Sequence, residues 1–350
     1  LLPEDADALR MMARILDVSH TDVLALLERV GRDTSGALSF AQRGTPGDTV
    51  IPIKTNAALE KILNELPAKP FLVSMSLAGV QSKLSVRLLE DGRLGIPVDG
   101  APSSHILKPD NPGLLWGSVH NEAFCLTLAR RVGLSAPVVT TGQAGERQFL
   151  LVKRYDRAPD GDLLRRLHQE DFCQALGLPP GAKYQHSQYR GPKANFSRMM
   201  DRLREVGGGS QVMQMWDMLV FNVLCGNTDA HLKNHSLLLS SEGVTLAPIY
   251  DVMCAGVWPN ITRNLALDIG GKQVGDYIQE RHWSREAEAC GLAPRRALAR
   301  VEYLVHKVRN ELRATEGDIA AMPAGSHGII ERVAEDIDRK CRILLNTLKK

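Results

Sequence analysis

The chain has 350 residues, with 43 Lys and Arg against 40 Asp and Glu, for a formal net charge of +3. At 44% apolar and 24% charged it can bury a sizeable core, which excludes disordered, collagen-like and coiled-coil classes. So small a charge over this length is no polyanion-binding signature, and the length suggests about two domains.

The opening Leu-Leu-Pro-Glu-Asp-Ala-Asp is acidic and unlike a signal peptide, and a first residue of Leu rather than Met reads as a chain that starts after its native beginning. Residues 1–35 carry apolar side chains at helical spacing (Leu9, Met12, Ile15, then Val23, Leu24, Leu27, Val30). From 71 to 151 the texture becomes β-prone, with short runs at 83–88, 94–98, 104–107, 137–141 and 148–152 around one helix at 120–132. After Asp156 the pattern is helical to the end apart from one hairpin at 236–247, so the halves join near 152–157. The longest apolar run, 218–225, is broken by Asn222 and falls far short of the ~18 residues of a membrane span. Six cysteines lie 29 to 52 residues apart with no C-x-x-C pair. That spacing argues against a zinc ribbon or thioredoxin-type site and points to a reducing cytoplasm.

The clearest element follows Gly207-Gly208-Gly209. Ser210 reads as an N-cap, and Val212, Met215, Trp216, Leu219, Val220, Val223 and Leu224 follow a helical stripe that stops at Gly226. A polar segment comes next: Asn227-Thr228-Asp229-Ala230-His231-Leu232-Lys233-Asn234.

A phosphotransferase needs a carboxylate to accept the proton of the attacking hydroxyl and oxygen ligands for Mg²⁺. In protein kinases the catalytic Asp and a metal-binding Asn are five residues apart, and a second metal-binding Asp follows a hairpin. Here Asp229 and Asn234 have that spacing, and Asp251 follows the predicted hairpin. Asp-x4-Asn alone is usually a solvated loop or cap; the helix, hairpin and second Asp give it weight. The rival chemistry is a zinc site from His231, His235 and a cysteine that the spacing does not identify. In the β-rich half, Lys108 ends a predicted strand and Glu122 lies early in the 120–132 helix, a strand Lys and helix Glu in kinase order. A lone strand-end Lys is more often mere surface. The segment 74–83 is small and polar with one glycine, neither a Walker A nor a G-x-G-x-x-G loop, and on its residues alone reads as a turn.

Seven segments in order then carry a resemblance: Ser76-Leu77-Ala78-Gly79-Val80-Gln81-Ser82-Lys83, Ile106-Leu107-Lys108-Pro109, Asn121-Glu122-Ala123-Phe124-Cys125, Val152-Lys153-Arg154-Tyr155-Asp156-Arg157, His168-Gln169-Glu170-Asp171-Phe172-Cys173-Gln174, Asn227 through Asn234, and Leu246-Ala247-Pro248-Ile249-Tyr250-Asp251. Together they resemble the HipA family of bacterial serine/threonine kinases, the toxins of HipA–HipB toxin–antitoxin pairs, from residue 1 to about 345.

The resemblance implies an α+β, bilobal protein-kinase-like (HipA-like) fold with a β-rich N-lobe, a mostly helical C-lobe, and ATP and Mg²⁺ in the cleft. It divides the chain into the remainder of an N-terminal subdomain (1–70), an N-lobe (71–156) and a helical C-lobe (157–350). By motif, Asp229 is the expected catalytic base, and Asn234 and Asp251 the metal ligands. Lys108 is expected to contact the phosphates, Ala78, Gly79, Val80, Gln81, Ser82 and Lys83 to form the phosphate loop, and Lys153, Arg154 and Tyr155 the hinge beside adenine. His231, Leu232, Lys233 and Tyr250 complete the nucleotide contacts. Ser76 holds the position of the family's inactivating autophosphorylation, with Ser74 as competing acceptor; a dianion there would repel the ATP phosphates.

The family's substrates are aminoacyl-tRNA synthetases, whose modification halts translation and promotes dormancy and persistence. The expected partner is a HipB-like helix-turn-helix antitoxin, with DNA engaged mainly through it and no membrane. Two other functions fit the same residues: a catalytically silent co-repressor acting with the antitoxin on operator DNA, and a small-molecule kinase. The family's small leading β subdomain is missing from the sequence pattern, whether by truncation or separate encoding. Val252-Met253 follows Asp251 where ordinary protein kinases carry Phe-Gly, so conventional activation-loop regulation is not expected.

Overall fold

The computed structural model describes residues 2, 6–40, 47–66, 82–111, 113–161 and 163–348. They pack as two compact units, 1–110 with 139–169, and 111–138 with 170–350.

The first unit opens with α1 (Ala6–Leu16) and α2 (Val23–Val30). The continuous helical texture expected over 1–35 is thus two helices. Asp17, at φ +53°, ends the first, and the Asp22 carboxylate caps the second by accepting from Ala25 N at 3.0 Å. Met12 and Ala13 pack with Leu26 and Val30 between them. Next come β1 (Val50–Pro52), α3 (Asn56–Glu65), β2 (Leu84–Leu88), β3 (Leu94–Pro97), β4 (His105–Pro109), β5 (Val139–Ala144) and β6 (Arg147–Lys153). The strands form one antiparallel sheet in the order β1-β3-β2-β4-β6-β5.

Leu59, Leu63 and Leu66, from and just after α3, pack with Leu84, Val86, Leu107, Phe149 and Leu151. Each such leucine contributes roughly 1.5–3 kcal/mol by leaving water. Side chains alternate along a strand, so Lys108 faces away from that core, on the sheet side of its register partner Leu150. A tight hairpin, β7 (Arg157–Asp160) and β8 (Leu163–Arg166), follows, and β9 (His168–Asp171) leads out of the unit.

The second unit begins with α4 (Ser118–Arg131) and resumes with α5 (Phe172–Ala175), α6 (Phe196–Gly207) and α7 (Val212–Cys225). Then come the hairpin β10 (Ser236–Ser240) and β11 (Gly243–Leu246), the pair β12 (Asn264–Ile269) and β13 (Lys272–Val274), and α8 (Glu280–Ala289), α9 (Pro294–Ala320) and α10 (Ile329–Leu348). Nearly every side chain of α7 is buried, as an all-round apolar helix requires. It packs against α9 and α10, and Trp216 meets Trp283 edge-on at 5.7 Å. Asp217 accepts a bidentate pair from Arg300 at 2.7 and 2.6 Å. The six cysteines are buried free thiols. Among the described residues, no helix is long and apolar enough to cross a membrane.

Four expectations change. The helix expected at 120–132 within the N-lobe is α4, which packs on α9 and α10 in the second unit, and the first unit continues past 156 to Gln169. The region after Asp156 is not helical apart from one hairpin: β7/β8 and β12/β13 are strands of three to six residues, too short to show a period. Ser210 does not cap α7. It sits inside a short 3-10 turn at Gly209–Gln211, and Gln211 occupies the cap position with no side-chain cap hydrogen bond. Residues 74–81, which hold Ser74, Ser76 and most of the expected phosphate loop, lie outside the described residues.

Candidate active site

The end of α7 starts the site. Gly226 takes the left-handed conformation (φ +65°), and its N–H closes on the carbonyls of Asn222 and Val223. The turn brings Asn227 back to the helix, its N–H donating to Asn222 O at 2.9 Å and its Nδ2 to Asn222 Oδ1 at 2.8 Å. Asn222 is itself fixed by donating to Met218 O.

The Asn227 amide then serves two further segments. Its Oδ1 accepts from the N–H of Asp229 at 3.2 Å, and its Nδ2 reaches the carbonyl of Asp251 at 3.4 Å. A buried side chain thereby ties the backbone of the expected base to that of the expected second metal ligand, across the intervening β10/β11 hairpin.

Asn234 closes the loop from the other end. Its Nδ2 donates to Asp229 O at 2.8 Å, and its N–H donates to His231 O at 2.9 Å. Its Oδ1, which takes no hydrogen bond from the described residues, is an oxygen that could hold a cation. The Asp229 side chain is 59% exposed. Its Oδ1 accepts from Tyr184 Oη at 2.5 Å and lies 3.9 Å from His231 Nε2.

Asp251 sits at φ +58°, a backbone region costly for most side chains and tolerated by Asp. Three residues on, the chain is pinned: Cys254 N donates to Asn121 Oδ1 at 2.7 Å, and Asn121 Nδ2 donates to Cys254 O at 3.0 Å. Tyr250 bridges Ser236 Oγ (2.6 Å) and the carbonyl of Lys233 (2.8 Å), while Lys233 pairs with Asp171 at 2.8 Å. Leu232 is fully buried, so its nucleotide role can come only through backbone or packing.

Among the described residues, His231 and His235 gather no third ligand for a zinc site. Both are buried, and burial lowers both pKa values, that of His235 to about 4. Nδ1 of His235 is occupied by His231 O at 3.1 Å. Among the described residues no three His, Cys, Asp or Glu side chains gather as a cage. An amide oxygen and a carboxylate, by contrast, are the hard oxygen donors Mg²⁺ takes alongside nucleotide phosphates.

In the first unit Ser82 and Lys83 lead into β2, and Lys108 is 5% exposed on β4. Lys153 ends β6 opposite His105, whose pKa falls to about 4 through burial and the Lys153 charge. Tyr155 Oη donates to Gln169 Oε1.

The side chain of Arg154, expected in the hinge beside adenine, is engaged inside the first unit. Its guanidinium is buried and committed to Asp156 (2.9 and 2.7 Å), Ser103 Oγ (2.9 Å) and Thr34 O (2.8 Å). Arg157 joins from the other side, bonding Asp33 at 2.6 Å. Burial alone would raise the Asp156 carboxyl, but Arg154 and Arg157 outweigh it and hold the pKa at about 2. Glu122, the expected partner of Lys108, is buried on α4 in the second unit.

Tyr184 and the pinning role of Asn227 were not legible as site features. Tyr184 lies 45 residues from Asp229 with no local pattern around it. Asn227 carried a signal, an Asn directly after a helix-ending Gly, but its partners could not be read.

The HipA-like C-terminal domain matches residues 75–312. "Putative kinase Y4mE" of Sinorhizobium fredii is 36% identical over 321 residues, covering 87% of this chain and 74% of that protein. The serine/threonine-protein kinase toxin HipA of Shewanella oneidensis is 31% identical over 291 residues, covering 77% of this chain and 65% of that one. Among solved structures, the complex of Shewanella oneidensis MR-1 HipA, HipB and operator DNA matches with a TM-score of 0.85 at 23% identity, over 100% of this chain and 84% of that chain, which establishes a shared fold. A domain match over two thirds of the chain, carrying Asp229, Asn234 and Asp251 in order, places this protein in the HipA family.

Proposed function

We propose that this chain is an ATP-dependent serine/threonine protein kinase of toxin type. The observation that supports it most is the Asn227 side chain bonding both the Asp229 N–H and the Asp251 carbonyl, since it fixes a base and a metal ligand in one frame. In the reaction, the acceptor hydroxyl oxygen bonds to the γ-phosphorus and its proton passes to the Asp229 carboxylate. The bond from the γ-phosphorus to the β–γ bridging oxygen breaks, and ADP leaves. Asn234 Oδ1 and the Asp251 carboxylate would hold Mg²⁺, which when bound neutralises phosphate charge. Lys108 and the 78–83 loop are assigned to the phosphates, and Lys153 and Tyr155 to the adenine side.

The same reading assigns Ser76 as the inactivating autophosphorylation site, an aminoacyl-tRNA synthetase as substrate, and a HipB-like antitoxin as partner. The antitoxin assignment rests on likeness to a protein solved in complex with HipB and operator DNA. Intact-mass and phosphopeptide spectrometry before and after Mg-ATP, with Asp229→Ala alongside, tests the core of it. One added phosphate on Ser76 in the unaltered chain alone supports the kinase, the base and the acceptor together. Phosphate on Asp229→Ala would remove the base assignment, and none on either would favour the silent co-repressor.

A further inference from the structure

Tyr184 belongs to no motif and sits in the loop between α5 and α6, yet its hydroxyl donates to Asp229 Oδ1 at 2.5 Å. We infer that Tyr184 is a positioning residue for phosphoryl transfer, holding one carboxylate oxygen of Asp229 so that the other faces the acceptor hydroxyl; this rests on Asp229 being the base.

Three observations carry it. The backbone on both sides of Tyr184 is tethered to the site: the carbonyl of Lys183 accepts from Leu232 N, inside the catalytic loop, at 3.2 Å, and Gln185 N donates to Ala266 O on β12 at 3.1 Å. Gln185 Oε1 accepts from Asp268 N at 2.9 Å, adding a second tie to that strand. The phenol is thus held in place, not a group free to swing in and out. Secondly, the ring meets His231 edge-on at 5.0 Å, so Tyr184 and His231 together flank the side of Asp229 that carries Oδ1. Thirdly, the Asp229 side chain is 59% exposed, and Oδ2 takes no hydrogen bond from the described residues. Without the phenol, an exposed aspartate would turn among several staggered conformers and present its basic oxygen only part of the time.

The test replaces Tyr184 by Phe, and separately by 3-fluorotyrosine through a suppressed stop codon. Each is assayed with Mg-ATP and casein as the hydroxyl-bearing probe acceptor, beside Asp229→Ala. The expected result is a kcat loss of about tenfold or more for Tyr184→Phe, with KM for ATP and thermal midpoint unchanged. The fluorotyrosine chain, which keeps the donor, should hold near the starting rate. Loss of packing alone would move the thermal midpoint or KM and would not separate the two replacements by rate. A Tyr184→Phe chain at full kcat, while Asp229→Ala is dead, would overturn the positioning role and leave the base intact. An active Asp229→Ala chain would instead overturn the reading beneath it. Phosphate recovered on Tyr184 would also overturn the inference, making the phenol an acceptor.

Discussion

Asn121 and Cys254 are joined by two hydrogen bonds, Cys254 N to Oδ1 at 2.7 Å and Nδ2 to Cys254 O at 3.0 Å, across 133 residues of chain. One amide side chain on α4 thereby does for the backbone after Asp251 what a neighbouring strand would do. Cys254 is fully buried, so neither of its main-chain groups can turn to water instead.

Asn121→Ala should therefore leave a buried N–H and a buried carbonyl unpaired, a cost of about 2–4 kcal/mol for the two. The loosened segment begins three residues after Asp251, so the Mg²⁺ requirement should rise as well. Urea melts give the first quantity and Mg²⁺ titration of ATP turnover the second. A variant with the original melt and the original Mg²⁺ midpoint would show that the segment is held by something else.

Arg154→Ala separates two roles that the motif alone could not. If the guanidinium works as its contacts indicate, its removal strands Asp156 and Asp33 in the interior with Arg157 as their chief remaining counter-charge. Breaking a buried ion network from one side costs about 3–5 kcal/mol. The effect should appear as lost stability of the first unit, followed by differential hydrogen exchange over 33–36 and 103–107. A selective loss of ATP affinity with the original stability would return Arg154 to the nucleotide.

The contrast between Arg154 and Asp229 marks how far the sequence could be read. Asp229, Asn234 and Asp251 fall within 23 residues, and the helix before them repeats its apolar stripe over four turns, so local spacing carries the helix, the loop and the order of the three candidate residues. Sheet strands β2 to β6 and the β10/β11 hairpin were legible for the same reason, while β1, three residues at the sheet edge, was not. Arg154 sits in a matching motif, but its side chain is decided by Asp33 and Thr34, about 120 residues away, and no local pattern encodes that distance. Tyr184 and the Asn121–Cys254 pair are hidden likewise. The placement of α4 in the second unit was obscured because polar residues (His120, Asn121, Glu122, Thr127) alternate with apolar ones around it, leaving no face that names its neighbours.

Gly226→Ala tests the turn that aims the catalytic loop. A Cβ there would sit 2.6 Å from Lys340 Cε on a backbone at φ +65°. The left-handed conformation costs an L side chain about 1–2 kcal/mol, and Lys340 would be displaced from its pair with Asp336. We expect destabilisation of about 2 kcal/mol by denaturant melting, with turnover falling because Asn227 leaves its register. Full turnover in a destabilised Gly226→Ala chain would mean that the loop is set from its Asn234 end.

Acid should weaken the second unit through His235. Its ring is buried and held neutral: burial lowers its pKa to about 4, against roughly 6.5 in an unfolded chain, although the hydrogen bond from Nδ1–H to the His231 carbonyl opposes the shift. The unfolded state therefore binds a proton that the folded state refuses, and stability rises with pH across that window. The contribution is fully present above about pH 6.5 and declines as pH falls toward 4, by up to about 3 kcal/mol for this one group. His231, lowered in the same direction by burial, adds to the slope, although the charge of Asp229 opposes it. His105 in the first unit acts in the same window, its pKa also at about 4. Urea melts of the unaltered chain and His235→Gln from pH 7 to pH 4 measure the difference, and the variant should lose part of the slope, not all of it. An unchanged slope would assign the acid sensitivity to His105, His231 and His282, which burial lowers in the same direction.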